Sequence, residues 1–349
     1  MKRLLIASTR LPPISGGSEQ VAWETANRLA GEYEVHIITI GRGITNTSDK
    51  IRIHYLPPIQ PFTLLYSTIL RGRINSVLAN VSPDIVHSHT ALPWPYIFAG
   101  LKCGKVVTCH GLSFSDSSEY PHMRLRHPNR FLIKRGYQSA NVLISPSKWL
   151  AEWLDERFHT SCKILPNGVN TSKFSPRETA DADSKTILYV GRFLPRKGIR
   201  EIVEAAKVLQ DYEFLLVGDQ RTATVKVPPM RNVRVVGFVD DIVACYNQAA
   251  ICIFPSHWEN FPMVGLEAMA CGRPIIATRL GFSEYVEDGV DGLLIDARRC
   301  DKLIEAITYL MGDYDARKKI GQKARLKAEQ YDWSITMNRY RTLYENLTK

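Results

Sequence analysis

The sequence predicts an α/β protein built from two doubly wound, parallel-sheet domains, and three observations predict it. The chain has 349 residues, 45% hydrophobic and 23% charged, an ordinary globular composition that excludes fibrous and disordered classes. At roughly 150 residues per domain, that length supplies two cores. Short β-branched runs alternate with helical patterns throughout, the signature of βαβ units. A turn-rich connection, Leu165-Pro166-Asn167-Gly168-Val169 and then Phe174-Ser175-Pro176, breaks the rhythm near its centre. The expected domains are 1–168 and 169–332, facing each other across a cleft.

In the first half the predicted strands are Arg3–Ser8, Val35–Ile40, Ile51–Leu56, Asp84–His89, Lys105–His110 and Asn141–Ser145. In the second they are Thr186–Val190, Tyr212–Val217, Val233–Val236, Ala250–Phe254, Pro274–Thr278 and Gly292–Ile295. Open parallel sheets bind ligands beyond the carboxyl ends of their strands, so the segments that follow strands carry the functional reading. After the first strand, Gly16-Gly17 leads into a helix whose Ala22, Ala26, Leu29 and Ala30 share an apolar face. Paired glycines there either let backbone N–H groups approach an anion or simply make a tight turn. His87, His89 and His110 end two later strands, which predicts three imidazoles at one sheet edge. No Cys, Asp or further His stands at zinc-ligand spacing, leaving polar contact with a ligand or hydrogen-bonded packing as their roles.

The second half speaks more directly to chemistry. Its first strand ends in Gly191-Arg192-Phe-Leu-Pro-Arg196-Lys197-Gly198, just ahead of a helix. Guanidinium forks and a lysine point charge at a helix start suit a diphosphate, without need of a divalent metal; the alternative is a solvated basic loop. Further on, Glu259 lies in a loop and Glu267 on the apolar helix that follows it. A carboxylate in so apolar a setting needs hydrogen-bond donors, which ribose hydroxyls or a structural salt bridge would supply. The loop carboxylate suits sugar hydroxyls, and the amides from Asn260 through Phe261 and Met263 to Val264 belong to the same edge, Pro262 offering none.

Charge is unevenly placed. Residues 1–165 hold 19 Lys and Arg against 11 Asp and Glu, a net +8, and the remainder is net +2. Between Glu119 and Glu152 there is no acid, while Arg124, Arg126 and Arg130 stand in that gap among other bases. Such a stretch attracts phosphates, acidic sugars or anionic lipid heads, or else is a solvated face. The interleaved Leu125, Phe131, Leu132 and Ile133 suit either acyl chains or a helix core. The seven cysteines form no C-x-x-C pair and read as reduced thiols of a cytoplasmic protein; no segment reads as a spanning helix or an export signal.

With these motifs assembled, the chain resembles the retaining glycosyltransferases of family 4, which have the two-Rossmann GT-B fold. The likeness runs nearly end to end. It includes Gly16-Gly17-Ser-Glu19, Asp84-Ile-Val-His87-Ser-His89, Thr108-Cys-His110-Gly, Val190-Gly-Arg192 with Lys197-Gly198, the Glu259 to Glu267 stretch, and Leu280 to Ile295. The resemblance implies that Arg192 and Lys197 hold the diphosphate of a nucleotide-sugar donor, that Glu267 binds its ribose, and that Glu259 binds the transferred sugar. It also implies that the Gly16-Gly17 loop approaches the phosphate, that His110 meets the donor sugar, and that Val239 and Asp241 flank the base. His89 is expected on the acceptor side, where the uneven charge also sets the basic stretch, and the terminal helix, 333–349, is expected to pack back on the first domain. Pro262 and Phe282 depart from the family pattern at positions that bear on the sugar pocket.

The expected reaction is hexosyl transfer to an acceptor hydroxyl with retention, with no metal and no cofactor. A UDP-sugar is the first expectation for the donor and GDP-mannose the second. A sugar, a lipid-linked or a phosphorylated acceptor is expected, with peripheral contact to an anionic inner-membrane surface and no nucleic acid. A nucleotide-sugar epimerase or a phosphorylase on the same architecture is the enzymatic alternative, and a basic, non-catalytic binding module the alternative of another class.

Overall fold

The computed structural model describes residues 1–12, 16–41, 50–57, 70–90, 92–111, 130–177, 184–218 and 223–348, with Arg130 described in its backbone alone. Arg124, Arg126, Leu125 and the side chain of Arg130 therefore lie outside the described residues. Among these residues the contacts form two units. One comprises the described parts of Met1–Asp116, Met123–Asn167 and Thr336–Lys349, and the other those of Gly168–Ile335.

The first unit is built on a parallel sheet of seven strands in the order β3-β2-β1-β4-β5-β6-β7. These are β1 (Arg3–Ala7), β2 (Glu34–Ile40), β3 (Ile51–Leu56), β4 (Ile85–Ser88), β5 (Gly104–Thr108), β6 (Val142–Ser145) and β7 (Cys162–Ile164). Six match predicted strands to within two residues. The seventh, three residues long at the sheet edge and just ahead of the turn-rich connection, is not among the predicted strands. Leu4, Leu5, Ile6, Val35, Ile37 and Ile38 are fully buried, as expected of strands covered on both faces. The helix Gly17–Leu29 lays Val21, Ala22, Thr25, Ala26 and Leu29 inward, small residues that allow close approach to the sheet. The helix Lys148–Phe158 is capped by Ser147 and buries Leu150, Ala151, Leu154 and Phe158. Along the helix Arg130–Gln138, Leu132, Ile133 and Tyr137 are buried whereas Phe131 is exposed. Leu132 and Ile133 thus serve the core and are not surface residues for acyl chains.

The second unit has a six-stranded parallel sheet in the order β10-β9-β8-β11-β12-β13. Its strands are β8 (Thr186–Val190), β9 (Glu213–Val217), β10 (Val233–Val236), β11 (Ile251–Phe254), β12 (Ile275–Thr278) and β13 (Leu293–Ile295), all predicted. The helix Ile199–Val208 packs Ile199, Ile202, Val203, Ala205 and Ala206 on one face of this sheet. On the other, the helix Met263–Ala270 buries Gly265, Leu266, Ala268, Met269 and Ala270. In each sheet the strand order reverses once, between β1 and β4 and between β8 and β11, which are the positions where open α/β sheets bind ligands. All seven cysteines are free, and no helix among the described residues is long and apolar enough to cross a membrane.

Leu154 is fully buried among Ile133, Tyr137, Leu150 and Phe158. Leu154→Ala is expected to destabilise the first unit by about 3 kcal/mol, read as a lower urea midpoint for its unfolding.

Candidate functional site

Pairing of Ile187 with Ile251 and of Leu188 with Cys252 makes β8 and β11 neighbours, so the loops leaving their carboxyl ends lie side by side. The first loop, Gly191 to Gly198, closes in a 3₁₀ turn at Pro195–Lys197. Gly198 then enters the helix Ile199–Val208 at a φ of 74°, and a Cβ there would collide with the carbonyl oxygen of Pro255 on the second loop. This position requires glycine twice over, for its dihedral and for the close approach. The His257 N–H donates to the Arg196 carbonyl at 2.7 Å, and the Arg196 guanidinium lies 4.8 Å over the Trp258 ring. Lys197 Nζ is ion-paired with Glu259 Oε1, and the two side chains are only 16% and 12% exposed.

The Glu259 carboxylate is held from behind as well. Gly281, at a φ of 88°, sits so close that a Cβ would stand 2.5 Å from the Glu259 carbonyl oxygen. Thr278 Oγ1 donates to the Ser256 carbonyl at 2.5 Å. Burial by itself pushes the Glu259 carboxyl up, but the charges of Lys197 and Arg196 outweigh it and hold the group below the ordinary carboxylate range. Burial also lowers the Lys197 ammonium, against the pull of Glu259. Arg196 and Arg192 stand on the same loop as Lys197, the latter arginine exposed to solvent.

Glu267 is the one ionisable residue of the helix Met263–Ala270, and its Oε2 accepts from the buried Tyr246 phenol at 3.0 Å. The fold thus gives that oxygen a phenol hydroxyl as partner. Asn260 and Phe261 are buried, and the Phe261 ring packs against Tyr285 and Tyr331, so this side chain belongs to the core. Met263 and Val264 are half-buried at the helix start. Pro262 donates nothing, but its carbonyl accepts from the Tyr285 phenol at 2.7 Å. Phe282 is buried and stacks on Phe254, with ring centroids 5.7 Å apart. Both departures from the family pattern thus take structural partners. Val239 packs on the unit's core, and Asp241 caps the helix Ile242–Gln248 through the Ala244 N–H while pairing with Arg177 at 2.9 Å. The expected base-flanking carboxylate is therefore already committed to two partners.

Sequence reasoning missed Glu201 and Tyr246. Glu201, on the helix after the basic loop, accepts from His257 Nε2 at 2.9 Å and ties the two loops a second time. Its spacing three residues after Gly198 was a helix-start signal, but nothing in the sequence paired it with His257.

In the first unit, His87 and His89 are buried and His110 is half-buried. His87 Nδ1 meets the Tyr344 phenol at 2.5 Å and its Nε2 meets Thr108 Oγ1 at 2.7 Å. His89 Nδ1 meets His110 Nε2 at 3.0 Å, and the His87 and His89 rings stand 4.1 Å apart. His87 is thus satisfied on both ring nitrogens by the unit's own residues, whereas His89, equally enclosed, has its Nε2 buried without a hydrogen-bond partner among the described residues. Burial pushes His87 and His110 down to about 3, so both imidazoles are neutral near neutrality. At the Gly16-Gly17 turn, the Gly16 N–H donates to Glu19 Oε2 at 3.0 Å, so the expected anion cradle has one donor in use by the chain's own carboxylate.

Comparison with known proteins bears on this arrangement. Residues 15–173 match the model of Glycosyltransferase Family 4, and residues 184–313 match that of Glycosyl transferases group 1. The chain belongs to the group 1 glycosyltransferases. This glycosyltransferase is 27% identical, across 99% of both chains, to an uncharacterized glycosyltransferase of Methanocaldococcus jannaschii. Its structure is similar to sucrose-phosphate synthase from Thermosynechococcus elongatus, with a TM-score of 0.87, 22% identity and 99% of both chains covered. It is also similar to HepE of Anabaena, solved with UDP and glucose, with a TM-score of 0.80, 18% identity, and 99% and 100% of the chains covered. The likenesses show the expected GT-B fold of two parallel sheets with helices.

Two outcomes are expected of the glycosyltransferase. Gly281→Ala should lower stability by about 1–3 kcal/mol. Gly289→Ala, at a φ of 75° but in open space, should cost less in the same thermal scan. The second outcome concerns the histidines. Their folded values lie below the ~6.5 of an unfolded imidazole, so the unfolded chain binds the extra protons as pH falls through that range. The first unit should lose stability from about pH 6.5 downward, while the ring signals of His87 and His110 in NMR stay unmoved from pH 8 to about pH 5.

Proposed function

We propose that the enzyme transfers a hexosyl unit from a nucleoside diphosphate sugar to an acceptor hydroxyl with retention of anomeric configuration, in the synthesis of a polysaccharide, glycolipid or other glycoconjugate. The observation that carries this reading is the juxtaposition of the Arg192, Arg196 and Lys197 loop with Glu259 at the β8/β11 reversal, and Glu267 on the helix that follows. Cations at a helix start suit a diphosphate, and carboxylates suit hydroxyls. In this reading Arg192 and Lys197 take the diphosphate, Glu267 the ribose, Glu259 the transferred sugar, and His110 the donor sugar from the first unit.

In the reaction, the acceptor oxygen forms a bond to the anomeric carbon as the bond from that carbon to the diphosphate oxygen breaks. The electron pair leaves with the diphosphate, and the acceptor proton passes to a departing phosphate oxygen. Fixed cations stabilise the charge that develops there, which is the role a divalent metal fills in other enzymes. A neutral His110 acts as a hydrogen-bonding partner of the sugar. The UDP and glucose found with HepE support a UDP-sugar as the first donor to try, with GDP-mannose second. The net +8 of residues 1–165 supports an anionic acceptor, such as a phosphorylated or lipid-diphosphate-linked sugar.

Calorimetry with UDP, GDP and ADP in chelator identifies the nucleotide. Lys197→Ala and Glu267→Ala should each weaken its binding by about tenfold or more, and donor turnover should persist in chelator. Unchanged nucleotide affinity in both variants, or turnover abolished by chelator and restored by Mg²⁺, would contradict the assignment.

A further inference from the structure

We propose that Glu259 is a specificity-determining residue that tells the sugar-loaded donor from the spent nucleoside diphosphate, by standing as a fixed anion beside the site of the terminal phosphate. The proposal rests on the function given above and deepens it.

The Lys197 ammonium pairs with the Glu259 carboxylate, and both side chains are largely withdrawn from water. Charges so placed are weakly screened, so each feels the other's loss. The backbone that carries the carboxylate is held in place, by Gly198 against Pro255, by Thr278 on Ser256 and by Gly281 against the Glu259 backbone. A diphosphate that claims Lys197 therefore takes the paired ammonium from a carboxylate whose backbone stays where it is, leaving Arg196 as the other cation acting on it. What happens next depends on what the terminal phosphate carries. A sugar brings hydroxyls, which donate to Glu259 and replace the lost ammonium as its hydrogen-bond partner. The spent nucleotide brings no hydroxyl, and its terminal phosphate has an additional ionisable oxygen that is charged near neutrality. Two anions then compete for one ammonium. Glu259 thus weakens product binding more than donor binding, which favours exchange of spent nucleotide for fresh donor.

The test is calorimetric, with UDP against UDP-glucose and GDP against GDP-mannose, on the full chain. The wild-type protein is expected to bind the bare nucleotide no more tightly than the loaded one, despite the extra charge of the former. Glu259→Gln keeps the shape and removes the anion. It should bind the bare nucleotide about tenfold tighter than wild type, with no such gain for the loaded donor. Glu267→Gln, the same change at the ribose position, should weaken both ligands alike. Bare nucleotide bound equally or more weakly by Glu259→Gln overturns the proposal, as does a wild-type preference of tenfold or more for the bare nucleotide. Should the wild type bind none of the four ligands, the nucleotide-sugar reading falls with it, and that outcome is distinct from a changed ratio.

Discussion

The second unit is organised around one buried ion pair, Lys197 with Glu259, and around the strand order that makes it. Desolvating two charges is expensive, and removing one partner of such a pair leaves the other uncompensated, at about 3–5 kcal/mol. The surrounding chain is arranged to keep the pair intact. Gly198 lets the basic loop press against Pro255, His257 donates to the Arg196 carbonyl, Glu201 holds the His257 ring, and Gly281 backs the Glu259 loop. The first three contacts link a segment that follows β8 to the one that follows β11, and the last links the segments that follow β11 and β12. The site is in this sense a seam between loops, fixed by backbone proximity.

The first unit uses a different device. A row of imidazoles, His87, His89 and His110, runs across the carboxyl edge of β4 and β5, and Tyr340 and Tyr344 of the helix Trp333–Leu347 pack against His87. A member of a buried polar network that lacks a partner is costly. His87 meets a phenol on one nitrogen and a threonine hydroxyl on the other, and His89 holds the half-buried His110 through Nδ1 while its Nε2 has no partner among the described residues. The chain's last helix thereby supports, through two rings, the histidine that the functional reading sets against the donor sugar.

The departures at Pro262 and Phe282 show how a family site absorbs change. Loss of an N–H at Pro262 leaves its carbonyl as an anchor for Tyr285, and Phe282 fills space beside Phe254. Tyr285 and Phe282 both crowd Gly265 on the Glu267 helix, where a Cβ has no room. The aromatic cluster therefore sets the position of the helix that carries Glu267.

By itself the sequence determined the elements and the inventory. Short, β-branched apolar runs specified twelve strands, because a strand buried on both faces is near-continuously apolar over a length that is read locally. The basic loop, the two glutamates and the strand-end histidines were legible because they are residue types that chemistry requires at strand ends. What the sequence did not determine was adjacency. Nothing local in Thr186–Val190 and Ala250–Phe254 says that they pair across 59 intervening residues, and without that pairing Lys197 and Glu259 are two charges in separate loops. The short edge strand Cys162–Ile164 escaped for the same reason, since three residues carry no period and gain their identity from pairing with β6. Partner choice was likewise a tertiary decision: Asp241 went to Arg177 and a helix cap, His89 to His110, and Glu267 to Tyr246. Periodicity is a property of neighbours along the chain, whereas ion pairs and hydrogen bonds form between groups that only the strand order brings within reach.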